Sequence, residues 1–352
     1  MVMSVALAGL LGFTAISVVN MCRTMGVREE PKAAIALSPA SKGEKSATAS
    51  AGQRMAALFP ISTGEKCGYI DKTGKIVINP QFDYAGEFSE GLADVRIGEK
   101  LGYIDKTGKI VINPQFDLAC SFSEGLALVD IGEKSGYIDK TGKIVINPQF
   151  DDAWGFSGGL APVEIGGKWG CIDKTGKIVI NPQFDSVLIF SEGLTAVTIG
   201  GKRGYIDKTG KIVIKPQFDG AWGFSEGLAP VEIGSKWGYI DRTGKIVINP
   251  QFDYAGEFSD GLADVMIGSY GYIDKTGKIV IKPTFRSACS FSEGLAFVDI
   301  GGKSGCIDKT GKMIINPEFF GGAHFSDGLA HVFVEGKWCY IDKTGKMVWR
   351  DE

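Results

Sequence analysis

Apolar and polar side chains alternate along residues 92–97, with Ala93, Val95 and Ile97 on one side and Asp94 and Arg96 on the other. A period of two predicts a half-buried strand. Gly98-Glu99 follows, placing glycine at the first central position of a two-residue hairpin turn. A second apolar stretch, around Tyr69 and Ile70, enters Asp71-Lys72-Thr73-Gly74, where aspartate first and glycine last predict a type I turn closed by a left-handed glycine. The β-branched run Ile76-Val77-Ile78 predicts a third strand, which is expected to stop at Asn79-Pro80 because proline lacks a ladder donor. The pattern thus predicts a three-stranded meander. It is joined to the next by a connector, Q-F-D-x-A-x-x-F-S-E-G-L, whose Phe82 and Phe88 are expected to anchor neighbouring units.

That unit recurs. G-Y-I-D-K-T-G-K begins at Gly68, Gly102, Gly136, Gly204 and Gly271 and returns with changes at Gly170, Gly238, Gly305 and Cys339, with a spacing of 34 residues at every step except one of 33. Units this small bury their apolar faces against one another, so the chain reads as one all-β tandem array over 57–352, nine units with the last truncated. The expected architecture is an elongated β-solenoid. The alternative is a closed β-propeller, disfavoured because blades usually have four strands and because no unit is split between the chain ends to clasp a ring. A longer duplication lies underneath: Tyr84-Ala85-Gly86-Glu87 returns at Tyr254-Ala255-Gly256-Glu257 and Ala119-Cys120-Ser121 at Ala288-Cys289-Ser290, five units on in each case.

The segments Lys168-Trp169-Gly170-Cys171-Ile172-Asp173 and Lys236-Trp237-Gly238-Tyr239-Ile240-Asp241, each followed by T-G-K-I-V-I, P-Q-F-D and F-S-E-G-L-A, resemble the WG-repeat (KWG) family of bacterial proteins. The resemblance spans about Ala57 to Glu352. It implies a β-rich repeat array, often exported or joined to other domains, with no general activity. Most units lack the eponymous tryptophan, carrying Cys67, Leu101, Ser135, Arg203, Tyr270 or Ser304 instead, and Cys339 replaces the glycine of the last unit.

Ahead of the array, Val2 to Met21 carry no charge and are long enough as a helix to cross a bilayer, so residues 1–22 are expected to form a membrane anchor or export signal. Residues 23–56, rich in Ala, Ser and Lys, read as a flexible linker. The repeats are therefore expected to be membrane-associated or exported, the side of the membrane being left open, with membrane contact through the N-terminal segment only. Lys and Arg total 38 against 41 Asp and Glu, interleaved within every unit, which argues against a nucleic-acid partner. The seven cysteines form neither a disulfide framework nor close C-x-x-C pairs, and are expected to be small apolar fillers.

No catalytic constellation repeats. Asp-Lys-Thr-Gly is similar to the phosphorylated-aspartate motif of cation pumps, but nine copies between hydrophobic strands need only be turns. His324 and His331 alone make no metal site, and no cofactor or metal is expected. The chemistry that stands out is aromatic: Trp154 and Trp169 in one unit, Trp222 and Trp237 two units on. Such rings can anchor a protein or stack on a sugar. The leading expectation is a non-catalytic scaffold binding a protein partner. The alternative is a carbohydrate or cell-envelope module using these tryptophans, and an enzyme ranks last.

Overall fold

The computed structural model describes residues 57–351, so the expected hydrophobic segment and linker lie outside the described residues. Among the described residues the first sheet has three antiparallel strands, β1 (Leu58–Thr63), β2 (Lys66–Asp71) and β3 (Ile76–Phe82). The next adds a fourth, in the order β4 (Tyr84–Ala85), β5 (Leu92–Ile97), β6 (Lys100–Asp105) and β7 (Ile110–Phe116). Each of the seven later sheets has this four-stranded order. The three-stranded meander is corrected accordingly: the connector contributes a strand. It does so because Ser89-Glu90-Gly91 turns the chain back on itself, with Ser89 bridged to Leu92 and both Glu90 and Gly91 at positive φ. Those are the dihedrals of a type I′ hairpin turn.

The other turns form as their residues dictate. Gly98 has φ +65° between paired Ile97 and Lys100. In blade 7 one residue, Gly268, separates paired Ile267 and Ser269, and this shortened turn is where the 34-residue period drops to 33. Gly74 has φ +85°, and the Asp71 carboxylate accepts the Thr73 hydroxyl at 2.5 Å and the Thr73 and Lys75 amides at 2.8 and 3.1 Å. The carboxylate thereby satisfies the turn's own donors. Those hydrogen bonds, the Thr73 hydroxyl's above all, hold its pKa below the usual range.

The outer strand does not stop at its proline. Phe116 pairs with Leu101 but Ile112 with Tyr103, so extra residues are accommodated and the strand passes over the backbone of Gly102. A Cβ there would stand 2.4 Å from the Ile112 carbonyl oxygen and 2.6 Å from Pro114 N. Glycine is required for that approach. The crossing carries the chain, through Asp117 alone, to the first strand of the next blade (Leu118–Ala119). In the last unit the outer strand, Met347–Arg350, pairs Cys339 with Arg350 and Tyr340 with Trp349. It runs alongside instead of crossing, and cysteine is tolerated where glycine otherwise stands.

The nine sheets close into a ring. At each junction a turn glycine faces the neighbouring blade's outer strand so closely that a Cβ would stand 3.0 Å from Ile78 at Gly108, 3.0 Å from Ile112 at Gly142 and 2.9 Å from Ile315 at Gly345. Gly74 of the first blade makes the same approach to Val348 of the ninth. Phe59, Ile61 and Ile70 share a buried cluster with Leu329 and Tyr340, and the Tyr340 hydroxyl donates to the Pro60 carbonyl at 2.9 Å. The expected solenoid is therefore corrected to the alternative, a nine-bladed β-propeller. No split unit is needed, because side chains of the first and last blades meet as those of any other neighbours do.

The core lies between blades. Tyr103, Phe116, Phe122, Val129 and Ile138 form one cluster drawn from two adjacent sheets. Phe122 is 1% exposed, and Tyr103 packs on its ring at 4.9 Å between centroids. The connector phenylalanines are inter-unit anchors, as expected, each buried ring contributing about 1.5–3 kcal/mol. The alternation in β5 is only apparent: Leu92 to Val95 are all buried and Ile97 is exposed, because this strand is covered on both faces.

Candidate functional site: the inner edge of the ring

In blades 2–7 each four-stranded sheet has a two-residue first strand at one edge and an Ile-Val strand at the other. The Ile-Val edge faces outward, with Ile110 and Val111 about 40% exposed. At the opposite edge successive blades bond directly: Ser89 Oγ donates to the Phe122 carbonyl at 2.7 Å, Ser123 Oγ to that of Phe156 at 2.8 Å and Ser157 Oγ to that of Phe190 at 2.7 Å. Radiating sheets converge toward their axis, so this is the inner edge. The windows 84–87, 118–121, 152–155, 186–189 and 220–223, which differ most among the copies, all lie on it.

Each window is registered on its neighbouring strand. The amide of the third window residue donates to a carbonyl opposite: Gly86 to Asp94, Cys120 to Leu128, Trp154 to Pro162, Leu188 to Ala196, Trp222 to Pro230, Gly256 to Asp264 and Cys289 to Phe297, at 2.8–3.1 Å. Side-chain size is shared across the pair. Glycine faces aspartate, since a Cβ on Gly86 would lie 2.4 Å from an Asp94 oxygen, and tryptophan faces compact proline.

A tyrosine of the preceding blade also reaches the third residue's carbonyl: Tyr69 to Gly86, Tyr137 to Trp154, Tyr205 to Trp222 and Tyr239 to Gly256, at 2.7–2.8 Å. Cys171 replaces that tyrosine before the fifth blade. There Thr195 stands where most blades have alanine, and its hydroxyl donates to the Leu188 carbonyl at 2.6 Å. The lost donor is thus supplied from a different strand. The six cysteines of the described residues are free. Cys171 and Cys306 are fully buried, in keeping with their expected role as fillers.

The structure brings the four singled-out tryptophans together in two pairs. Trp154 meets Trp169 edge-on at 6.4 Å, and Trp222 lies parallel to Trp237 at 6.0 Å. All four are half-buried. Trp222 is built into the junction of blades 5 and 6, with the Arg203 guanidinium 5.1 Å from its ring centre. Trp169 and Trp237 also pack on buried clusters, whereas Trp154 belongs to none. The pairs occupy blades 4 and 6, with Arg203 of blade 5 in the position of Trp169 and Trp237.

Sequence reasoning missed the acids beneath these windows. Asp94 and Asp264 are each 4% exposed. Burial, with Glu87 adding repulsion, raises Asp94 to about 7, and burial raises Asp264 to about 6 despite a 3.2 Å hydrogen bond from Ser290. Glu257 is likewise raised by burial to about 7. The signal was available: aspartate interrupts the apolar run Leu-Ala-x-Val in two copies, five units apart. Beside Glu257, a Cβ on Gly223 would lie 3.3 Å from its carboxylate and 2.8 Å from Ser191 Oγ. Ser191 Oγ and Trp222 Nε1 are buried without a hydrogen-bond partner. His331 stacks on Trp338 and Tyr340 at 4.5 and 4.6 Å, and burial lowers it to about 4. Among the described residues no three His, Cys, Asp or Glu side chains form a metal-binding group, and no helix is long and apolar enough to cross a membrane.

The family model described as WG containing repeat matches residues 68–100, 102–134, 136–169, 169–202, 204–237, 237–269, 270–303 and 305–338. No curated protein matches the sequence. Among solved structures, one titled as the eukaryotic initiation factor superposes with a TM-score of 0.62 at 11% identity, covering 85% of this chain and 96% of its own. Dihydro-heme d1 dehydrogenase NirN superposes at 0.46 with 13% identity over 86% of this chain and 75% of its own. Kluyveromyces lactis Hsv2p gives 0.41 with 10% identity over 76% and 98%. At such identities the first of these similarities shows the fold alone.

Proposed function

Because the chain belongs to the WG-repeat family and closes its repeats into a nine-bladed propeller, we propose that it is a non-catalytic scaffold that recognises a protein partner at the inner edge of the ring. One observation carries this reading: the turns and outer strands are nearly identical among the copies, while the windows that differ, with Trp154 and Trp222 among them, line one edge. A partner offering an apolar or aromatic side chain matches that edge. The N-terminal apolar segment would hold the ring at a membrane or mark it for export.

Trp154 is the side chain best suited to a test, because it belongs to none of the buried clusters. The full chain, immobilised, is to be used for capture from the native host, beside a Trp154→Ala variant. We expect the variant to melt within about 4 °C of the parent, a shift equivalent to roughly 1–2 kcal/mol, and to lose the captured protein. Unchanged capture would retire the inner edge as the binding surface. A second reading, a glycan-binding module, draws on the same edge-on Trp154–Trp169 pair; retention on peptidoglycan that disappears in Trp154→Ala would favour it. Trp222 offers less to a sugar, since Arg203 and Trp237 already engage its ring.

A further inference from the structure

The Ser-Glu-Gly turns form a row of links between neighbouring blades. Glu124 of blade 3 reaches into blade 4, where its Oε2 accepts the Gly159 amide at 3.0 Å and meets Lys174 Nζ at 3.2 Å, and that lysine also donates to the Glu124 carbonyl at 2.9 Å. Among the described residues a carboxylate accepts the equivalent glycine amide at six junctions, and four of the six add the lysine ion pair. The junction of blades 4 and 5 departs from the row, because Gly158 stands where blade 3 has Glu124. Its donors are kept. Gly193 corresponds to Gly159 and Lys208 to Lys174, and among the described residues neither the amide nor the ammonium has a partner. The framework that aims them is also intact. Gly158 holds the turn at φ +62°, near the +53° of Glu124, and Ser157 Oγ still donates to the Phe190 carbonyl at 2.7 Å. Gly210, two residues after Lys208, faces blade 4 so that a Cβ would stand 3.2 Å from Ile180, the same approach that Gly176 makes to Ile146.

We propose that the junction of blades 4 and 5 binds the carboxylate of a ligand, held by the Gly193 amide and the Lys208 ammonium as Glu124 is held by Gly159 and Lys174. The other junctions of this same chain show what such a pair of donors accepts. Lys208 Nζ lies 2.7 Å from where a Cβ on Gly158 would be, at the root of the side chain that a glutamate would carry there. Arg242 adds positive charge, its Nη2 3.6 Å from where a Cβ on Gly193 would stand, so the place suits an anion and repels a cation. Hydrogen bonds from an ammonium to a carboxylate are among the stronger ones. Both donors are open to water, however, so a lone carboxylate should bind with a dissociation constant on the order of 10 mM. A small organic acid and an acidic side chain of a peptide offer the same chemistry.

The inference goes beyond the proposed function and stands whether or not the inner edge binds a partner. It is tested by melting the full chain in acetate, and separately in the blocked tripeptide acetyl-Ala-Glu-Ala-amide, each against chloride at equal ionic strength. At about 100 mM, roughly ten times the expected dissociation constant, acetate should raise the melting temperature of the parent by about 2 °C over chloride. Lys208→Met should lose that increment. Gly158→Glu should lose it too and, in chloride, melt above the parent, because its own carboxylate fills the site. The substitution is tolerable there, since Glu90, Glu124, Glu192 and Glu226 already adopt φ of 50–54° and the tip of Lys208 can swing aside. A larger increment with the tripeptide than with acetate, absent from its glutamine counterpart, would assign the site to an acidic side chain, and equal increments would assign it to a small organic acid. The same increment in the parent, Lys208→Met and Gly158→Glu would overturn the proposal, as would none in the parent.

Discussion

The Asp-Lys-Thr-Gly end of each blade and its inner edge have had the same opportunity to diverge, and they differ in how they have done so. The turn satisfies its own donors: one carboxylate bonds two amides and a hydroxyl within five residues, and the neighbouring blade meets only its glycine and lysine. It returns almost unchanged nine times. At the inner edge, hydrogen bonds and volume are shared between strands and between blades. Changes there come as compensating sets, Cys171 with Thr195, glycine with aspartate, tryptophan with proline. Local satisfaction fixes a motif, and shared satisfaction lets it vary provided the partners vary together.

The largest expected effect tests the outer strand's crossing. Gly170→Ala sets a Cβ 2.4 Å from the Ile180 carbonyl oxygen, a backbone clash with nowhere to relax, and should cost at least about 3 kcal/mol. Cys339→Gly, at the same repeat position without a crossing, removes a buried side chain but creates no clash and should cost about 1–2 kcal/mol. Similar melting temperatures for the two variants would refute the assigned role of the crossing.

Next come the buried acids. Asp94, Glu257 and Asp264 have folded pKa values raised above their unfolded ones, so between about pH 4 and pH 7 the folded ring binds more protons than the unfolded chain. Stability from these groups is fully present below about pH 4 and falls as pH rises to 6–7. The turn aspartates, whose values are lowered, work oppositely but only toward acid. The double variant Asp94→Asn/Asp264→Asn should flatten the melting profile between pH 5 and 7.5; an undiminished slope would place its origin elsewhere.

A smaller effect sharpens the idea of compensation. Thr195→Ala leaves the Leu188 carbonyl without its hydroxyl donor and should cost about 1–2 kcal/mol. Adding Cys171→Tyr, which restores the tyrosine of other junctions, should recover about half or more of that loss. Additive losses in the double-mutant cycle would break the argument. Smallest of all, Lys100→Met removes an exposed ion pair with Asp117 and should shift stability by about 0.2–1 kcal/mol, a change that 0.5 M salt would largely mimic.

Much of this was legible in the chain. Glycine and aspartate announced the hairpin and the type I turn, because their backbone demands are local. The connector strand was hidden because glutamate at positive φ is unusual, though Asp260-Gly261 and Asp327-Gly328 carry the Asp-Gly signal of the same turn in two copies. Closure was illegible for another reason. It depends on Phe59 and Ile61 meeting Tyr340 and Leu329, and no periodicity records a contact between the two ends of an array. The tryptophans were read as a group, but only their surroundings separate Trp154 from Trp222, which serves as a wedge between blades.

The bond from Tyr340 to Pro60 joins residues 280 positions apart, whereas the other tyrosine bonds span 17. Loop-closure entropy grows only with the logarithm of length, so the equilibrium penalty for that last contact is modest. The kinetic consequence is larger. Blades can add one by one through short-range contacts, but the ring shuts only after a slow search, and until then an arc of finished blades carries two bare faces, Phe59 and Ile61 on one and Leu329 and Tyr340 on the other. Those faces are complementary between molecules as well as within one. Refolding at high concentration should therefore yield, beside closed monomers, chains of arcs joined end to end.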